Sequence, residues 1–390
     1  MAHGTDTPEG IYLDANATTP VRPEAVRAVA AALEGGFGNA SSVHSVGQRA
    51  RAQVDRAREQ CAAALGADQR DLIFTSGGTE SDGLAIRGAV AAALKAAPRA
   101  AARVVISAVE HPAVSAACAQ LGSQGVEIVR IAVDQEGALD LAALEEALAV
   151  PGTILCSAMA ANNETGVLFP SARIGELCRR HGVLFHVDAV QAAGKIALNV
   201  GGLGADYVTA SAHKLRGPQG AGLLWVRRGA PLSAQQSGGS QERGRRAGTE
   251  NVPAIAGFGV ALELACAEVE EVGARLGHLR DRLEAAILAI GGTRVHGAGS
   301  PRIPNTVSAS FDGCDGETLL VALDLAGIYV STGAACSSGS LEPSPVLLAM
   351  GVPRARAAGA LRFSLWPGNT AAEIDRVAAL LPGLVARCRG

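Results

Sequence analysis

The chain has 390 residues, of which 48% are hydrophobic, 18% charged and only 3% aromatic, and its net charge is −3. Those proportions supply a large apolar core and exclude a disordered chain, while the near-neutral balance, with no Lys/Arg run, excludes a nucleic-acid footprint or an anionic-membrane surface. No apolar stretch reaches the roughly eighteen residues of a membrane span, and the opening MAHGTDTPEG lacks the basic start and apolar run of a signal peptide, so the expected location is the cytoplasm.

The pattern of apolar residues then alternates between two periods. Val21–Leu33 and Gln48–Leu65 read as helices, the second with an Arg-rich outer face. A short strand at Asp71–Thr75 runs into Gly77-Gly78, and Thr79–Leu94 is helical. Arg103–Ser107 is a β-branched strand followed by a helix at Ala113–Leu121. Glu127–Ile131, Thr153–Ser157, Leu184–Val187, Tyr207–Thr209 and Gly222–Val226 read as buried strands, with helices at Leu141–Ala149 and Ile174–His181 between some of them. Short apolar strands alternating with amphipathic helices predict an α/β fold with a mostly parallel sheet covered on both faces. From Pro253 one long helical pattern runs to Ile290, followed by Thr306–Phe311, a helix at Glu317–Leu325 and a last helix from Ala371. The expected division is a large domain over 18–254 and a smaller α+β domain made of 1–17 and 255–390, with Ile11–Leu13 extended.

Eight cysteines stand at 61, 118, 156, 178, 266, 314, 336 and 388, none in a CxxC pair, so neither a zinc ribbon nor a disulfide framework is expected and no intrinsic metal site. Most should be small buried hydrophobes. Cys336 differs: Ser331 to Ser340 contains nothing larger than Thr, so this stretch has no apolar anchor and presents a single thiol.

The chemistry gathers at strand ends. Lys214, in Ser211-Ala212-His213-Lys214, follows a strand and is placed either as a Schiff-base lysine with a desolvated amine or as a surface lysine beside a turn. Asp188 ends Phe185-His186-Val187-Asp188, where sheet enzymes bind ligands. A carboxylate there holds a pyridine nitrogen protonated, or caps a helix. Ser76-Gly77-Gly78-Thr79-Glu80-Ser81 joins a strand to a helix and offers N–H groups to a phosphate. His111, in Val109-Glu110-His111-Pro112, follows another strand and either stacks on a ring and moves protons or is structural.

Together with LDANATTP (13–20), FGNASSVH (37–44), SGGTESD (76–82), ANNETG (161–166), HVDAVQAAGK (186–195), SAHKLRGPQG (211–220), QERGRRAGTEN (241–251), STGAACSSGSLEPS (331–344) and LRFSL (361–365), these segments run in order over nearly the whole chain and resemble the cysteine desulfurases of the NifS/IscS group. That group lies in the class V aminotransferase family of fold-type I pyridoxal 5'-phosphate (PLP) enzymes, and QERGRRAGTEN and ANNETG are most similar to its nitrogen-fixation branch. The resemblance implies that Lys214 binds PLP covalently, Asp188 pairs with the pyridine nitrogen, Gln191 with the ring oxygen, and His111 stacks over the ring. Gly78, Thr79, Ser211 and His213 would hold the phosphate, and Thr249 would reach the phosphate of the partner subunit in a homodimer. Asn163 would contact the substrate–cofactor adduct and Arg362 the substrate carboxylate, where the bland alternative is a surface salt bridge.

Cys336 would be the nucleophile, carrying sulfur from L-cysteine as a persulfide and leaving L-alanine. An iron–sulfur scaffold or another sulfur acceptor would receive it, and Cys336 would ligate a cluster iron only transiently, with the scaffold docked. The segment 331–340 would then have to move, hinging near Gly333 and Gly339. Ala334 and Ser337 depart from the group's usual Ser and Thr without removing a reactive group. Two rivals keep part of this picture: another PLP reaction such as selenocysteine lysis or transamination, which would not need Cys336, and a non-catalytic sulfur-transfer component, which would not need the PLP residues.

Overall fold

The computed structural model describes residues 10–35, 37–97, 101–333 and 342–389. In chain order, β1 (Ile11–Tyr12) precedes α1 (Pro23–Gly35) and α2 (Ser45–Leu65), and β2 (Leu72–Thr75) leads into α3 (Gly78–Ala96). Then come β3 (Arg103–Ser107), α4 (Pro112–Ser123), β4 (Glu127–Ile131), α5 (Leu141–Ala149), β5 (Thr153–Met159), α6 (Ser171–His181) and β6 (Leu184–Asp188). β7 (Tyr207–Ser211) and β8 (Gly222–Val226) complete the large sheet, and α7 (Val252–Ala267) and α8 (Val269–Leu288) follow. The remainder is β9 (Thr293–His296), β10 (Thr306–Phe311), α9 (Gly316–Leu325), β11 (Ile328–Tyr329), α10 (Pro345–Ala349), α11 (Arg354–Ala358), β12 (Ala360–Ser364) and α12 (Ala371–Cys388).

Seven strands form one sheet in the order β2-β8-β7-β6-β5-β3-β4. β3, β4, β5, β6 and β7 pair in parallel, whereas β8 runs antiparallel to both its neighbours, β2 and β7. Alternate residues serve two cores, as the twofold period of a strand demands. Ile73, Val104, Ile106, Leu155 and Leu224 pack on one face with Ala85, Val90 and Cys118 from α3 and α4. Leu72, Phe74, Val105, Cys156 and Leu223 pack on the other with Val54, Leu65 and Phe258 from α2 and α7. At the rim of β8 a side chain is impossible at Gly222, because a Cβ there would lie 2.6 Å from the Gly77 backbone. That contact brings the turn before α3 onto the sheet.

A third core joins Ile11 and Leu13 to α8, α9, α12 and the antiparallel sheet β12-β10-β9. β1 pairs with β11, so the extended start belongs with the C-terminal elements. Bridges from Asp14 to Ser364 and from Ser331 to Arg362 tie both segments to β12.

Several elements differ from their sequence pattern. The single helix expected over 253–290 is two, bent by 71°, because the chain breaks at Glu268 where neither Gly nor Pro marks the change. No single helix among the described residues is long and apolar enough to cross a membrane. β4 was expected to be buried but is an edge strand that exposes Glu127 and Arg130. β9 and β11, of four and two residues, and β12 (Ala360–Ser364) have no counterpart in the sequence pattern. α2 is not Arg-lined on its outer face alone. Arg58 points inward at 4% exposure, where its guanidinium donates to both carboxylate oxygens of Glu242 at 2.6 and 3.0 Å and lies 4.7 Å from the Phe74 ring centroid.

That ion pair anchors the 241–251 segment, in which Glu242 and Arg243 take positive φ of 46° and 58°. Arg58→Ala would leave the Glu242 carboxylate buried and unpaired, at a cost of about 3–5 kcal/mol. Arg58→Met combined with Glu242→Leu should recover most of that loss in a denaturant titration. Equal losses in the single and double variants would contradict the pairing.

Candidate active site

The carboxyl ends of the parallel strands converge on one cavity of about 320 Å³. β2 delivers Gly78 and Thr79 at the start of α3, β3 delivers His111, β5 delivers Asn163, β6 ends on Asp188, and β7 ends on Ser211 just before His213 and Lys214. Arg362 enters from β12, and Gln191 and Asn16 complete the wall. Of the sequence-derived candidates, Gly78, Thr79, His111, Asn163, Asp188, Gln191, Ser211, His213, Lys214 and Arg362 thus line one space. Thr249 does not: it is exposed and lies outside this cavity. Cys336, Ala334, Ser337 and Gly339 lie outside the described residues.

Lys214 is not a surface lysine. Its Nζ donates to the main-chain oxygens of Asn16 and Ala17 at 2.5 and 2.7 Å. The Asp188 carboxylate accepts from Val190 N at 2.9 Å, and no helix follows it. Burial raises its pKa to about 6, with Asp82 adding repulsion and His111 opposing. A cation beside Asp188 would reverse that shift and keep the carboxylate ionised.

His111 is both a cavity residue and a helix cap, since its Nδ1 accepts from Ala113 N at 3.1 Å at the start of α4. That bond leaves the neutral ring's proton on Nε2. His213 stays neutral: burial, then Lys214 and Lys195, lower its pKa to about 4. Arg362 is no surface ion pair. It is 4% exposed, donates to Asn163 O at 3.0 Å and to Asp14 Oδ1 at 2.7 Å, and its Nε has no partner among the described residues.

One corner suits an anion. The N–H groups of the first turn of α3 have no acceptor within the helix. Ser211 Oγ, buried beside them, has no hydrogen-bond partner among the described residues. A Cβ on Gly78 would stand 2.8 Å from Val190 Cγ2, so the backbone there approaches its neighbours as only glycine permits. Among the described residues no cluster of His, Cys, Asp or Glu is arranged to hold a metal.

Five further residues shape the site without a signal of their own in the sequence. Asn16 donates to Asn163 O at 3.1 Å and accepts through its main chain from Lys214. Lys195 donates to Gln191 Oε1 at 2.5 Å. Asp82 is buried, lines the cavity and stands 3.5 Å from His186 Nε2. Glu164 accepts from Ser344 Oγ, and its carboxylate oxygen would be 2.5 Å from any Cβ on Gly333. It therefore touches both flanks of 334–341. Glu110 is buried at 7% exposure, accepting through Oε1 from Ser107 Oγ at 2.5 Å and from Met159 N at 3.0 Å. Only tertiary contact reveals them, apart from the unusual sight of Glu and Asn inside apolar runs.

Burial raises the Glu110 pKa from 4.5 to about 8, with Asp188 and Asp82 adding to the shift against the Ser107 and Met159 bonds. A raised folded pKa means that this residue's contribution to stability is intact below the unfolded value and is lost as pH rises through the folded one. Glu110→Gln keeps the neutral form at every pH. Its melting temperature should therefore gain on the wild type progressively between pH 4.5 and about 8, and scans across that window check it. A constant difference between the two curves would show that Glu110 does not titrate as described.

Comparison with known proteins agrees with this geometry. The aminotransferase class-V family model matches residues 11–377. A cysteine desulfurase of Trichormus azollae is 48% identical over 380 residues, covering 97% of this chain and 94% of that protein. A NifS-like protein of known structure superposes with a TM-score of 0.90 at 34% identity, covering 97% of this chain and all (100%) of the other. SspA, solved in complex with cysteine, superposes with a TM-score of 0.80 at 30% identity over 92% of this chain and 100% of its own. With strand ends, cavity and full-length similarity in agreement, the chain belongs to the class-V aminotransferase family, among the cysteine desulfurases of fold type I.

Proposed function

We propose that this chain is a PLP-dependent cysteine desulfurase that takes L-cysteine, returns L-alanine and carries the sulfur as a persulfide on Cys336. The observation that carries the reading is the single cavity on which Lys214, Asp188, His111, Gln191 and Arg362 converge. Those residues fit the cofactor's chemistry. The partnerless Ser211 Oγ and the α3 N-terminus suit a phosphate, and a cationic ring nitrogen suits Asp188, whose charge burial otherwise disfavours. When bound, PLP supplies an electron sink for the carbon next to the amino group.

The chain's own residues supply the rest. Lys214 would hold the cofactor covalently and, as a free amine, would serve as the base for the α-proton. Its Nζ is held at the cavity wall by the main-chain oxygens of Asn16 and Ala17. Arg362, with its Nε unpartnered, binds the substrate carboxylate. His111, which lines the same cavity, moves a proton there. The Cys336 thiolate takes the substrate sulfur: an S–S bond forms, the Cβ–S bond breaks, and the carbon left behind gains a proton and departs as alanine. An acceptor protein, such as an iron–sulfur scaffold, then removes the sulfur.

A homodimer completes the site. Thr249 is exposed and outside its own chain's cavity, and Phe37 and Val43 are apolar side chains left 81% and 89% exposed. Both facts support a partner at this face, with Thr249 reaching the partner's phosphate. Thr249→Ala should then weaken PLP retention on gel filtration while leaving the fold unchanged. A fully active monomer would contradict the composite site.

The central test uses two variants. Lys214→Ala should abolish alanine formation from cysteine, and borohydride reduction of the wild type should label Lys214 in a peptide map. A label on Lys195 would overturn the assignment. Cys336→Ala should still change the visible spectrum on adding cysteine yet release no sulfur. Near-normal desulfuration by that variant would move the reading to a lyase that does without the thiol.

A further inference from the structure

Lys195 follows the turn after β6 and does not line the main cavity. It stands behind the wall, beside a smaller space of about 50 Å³ that it shares with Lys214 and that Arg22, Arg216 and Glu268 also border. Its Nζ donates to Gln191 Oε1 at 2.5 Å and to Asn16 Oδ1 at 2.8 Å. Both amides therefore turn their oxygens towards one amine.

The other ends of these amides face the site. Gln191 Nε2 gives one hydrogen to Asn16 O at 2.9 Å. Its second hydrogen remains for the cavity that Gln191 lines. Asn16 Nδ2 donates to Asn163 O at 3.1 Å and to Thr306 Oγ1 at 2.9 Å, and Asn305 adds a second bond to Asn16 Oδ1 at 3.2 Å. The same Asn16 main-chain oxygen accepts from Lys214 Nζ. Asn16 has three anchors besides Lys195, but Gln191 Oε1 has Lys195 alone among its described hydrogen-bond partners.

We propose that Lys195 is a positioning residue that clamps the oxygen of the Gln191 amide, so that Gln191 presents a hydrogen-bond donor to the ring oxygen of the bound cofactor. This rests on the PLP reading above. Without the clamp, Gln191 Oε1 is a buried acceptor with nothing to accept from, a state that costs about 1–3 kcal/mol and leaves the amide held only by its Nε2 bond to Asn16 O. An amide held at that one point no longer keeps its second hydrogen aimed at the ring oxygen. Burial, with Lys214 and Arg362 adding repulsion, pushes the Lys195 pKa well below the usual lysine range. The clamp survives in either state, because a neutral amine still has two hydrogens for its two acceptors.

The test is spectroscopic and uses the PLP-loaded protein. A donor at the ring oxygen favours the deprotonated chromophore, and so does any positive charge left on Lys195. Lys195→Met should therefore raise the pH midpoint of the visible absorption change by roughly one unit, with a shifted absorption maximum. It should also lower kcat about tenfold while leaving KM for cysteine within about twofold, because Arg362 and Asn163 keep their own bonds. Lys195→Gln, which still offers donors, should move the midpoint less. If Lys195→Met fails to fold, Lys195→Gln carries the test alone with the same direction of shift. A wild-type midpoint and absorption maximum in a folded, coloured variant would overturn the clamp while leaving the PLP reading intact. A wild-type protein that takes up no PLP would overturn both.

Discussion

The site depends on one asparagine held from every side. Asn16 accepts from Lys214 and Gln191 at its main-chain oxygen, from Lys195 and Asn305 at its side-chain oxygen, and donates to Asn163, Thr306 and Ser364. These partners come from the large sheet's strand ends and from the C-terminal sheet. A polar side chain at 2% exposure is tolerated only because each of its atoms is satisfied. The N-terminal segment thus acts as the strut between the two regions that form the cavity, which explains why β1 pairs with β11 rather than with the large sheet. A slip of the segment by one residue would unpair Lys214 and Gln191 together.

Charge is sorted across that cavity. Lys195, Lys214, His213 and Arg362 stand on the side of Asn16, while Asp188, Asp82 and Glu110 stand on the side of β3 and β6. Burial and like-charged neighbours shift four of them toward neutrality: Lys195 and His213 lose affinity for protons, and Asp188 and Glu110 gain it. Such a wall is poised for a ligand that is itself divided, with an anionic end and a cationic ring nitrogen. On the proposed reading, Asp188 supplies an ionised carboxylate for the ring nitrogen, and the pKa of about 8 at Glu110 keeps that buried neighbour from adding its negative charge at neutral pH.

Much of this arrangement is legible in the amino-acid pattern. β3, β4 and β8 of the large sheet and β10 of the antiparallel one lie where β-branched and apolar runs place them, because a strand needs little beyond such a run between turns. The residues at strand ends follow from the fold rule and from motif resemblance, and ten of them line one space. What was not legible depends on partners distant in the chain. Arg58 belongs to the polar stripe of its own helix and is turned inward only by Glu242. The break at Glu268 lies in an uninterrupted helical pattern and is imposed by the change of packing partner from α2 to the C-terminal core. Asn16, Lys195 and Glu164 look like ordinary polar residues until the chain folds.

The turn at 162–166 shows how such distant pieces are made to act together. Asn162 Oδ1 accepts from the main chain of Glu164 and Thr165 at 2.9 Å each, which fixes the turn. From that rigid base Asn163 turns its carbonyl to Arg362 and Asn16, and Glu164 turns its carboxylate to Ser344 and Gly333. Asn163 lines the cavity, and Gly333 and Ser344 flank the segment that contains Cys336. Burial raises the Glu164 pKa while Arg362 and His111 pull it down. Any ligand that neutralises Arg362 or displaces the His111 field would therefore also weaken the hold on the charge of Glu164. One turn of backbone thus couples the groups that would hold the substrate to the flanks of the segment that would receive its sulfur. Because that coupling runs through adjacent residues, it requires no movement of the large sheet.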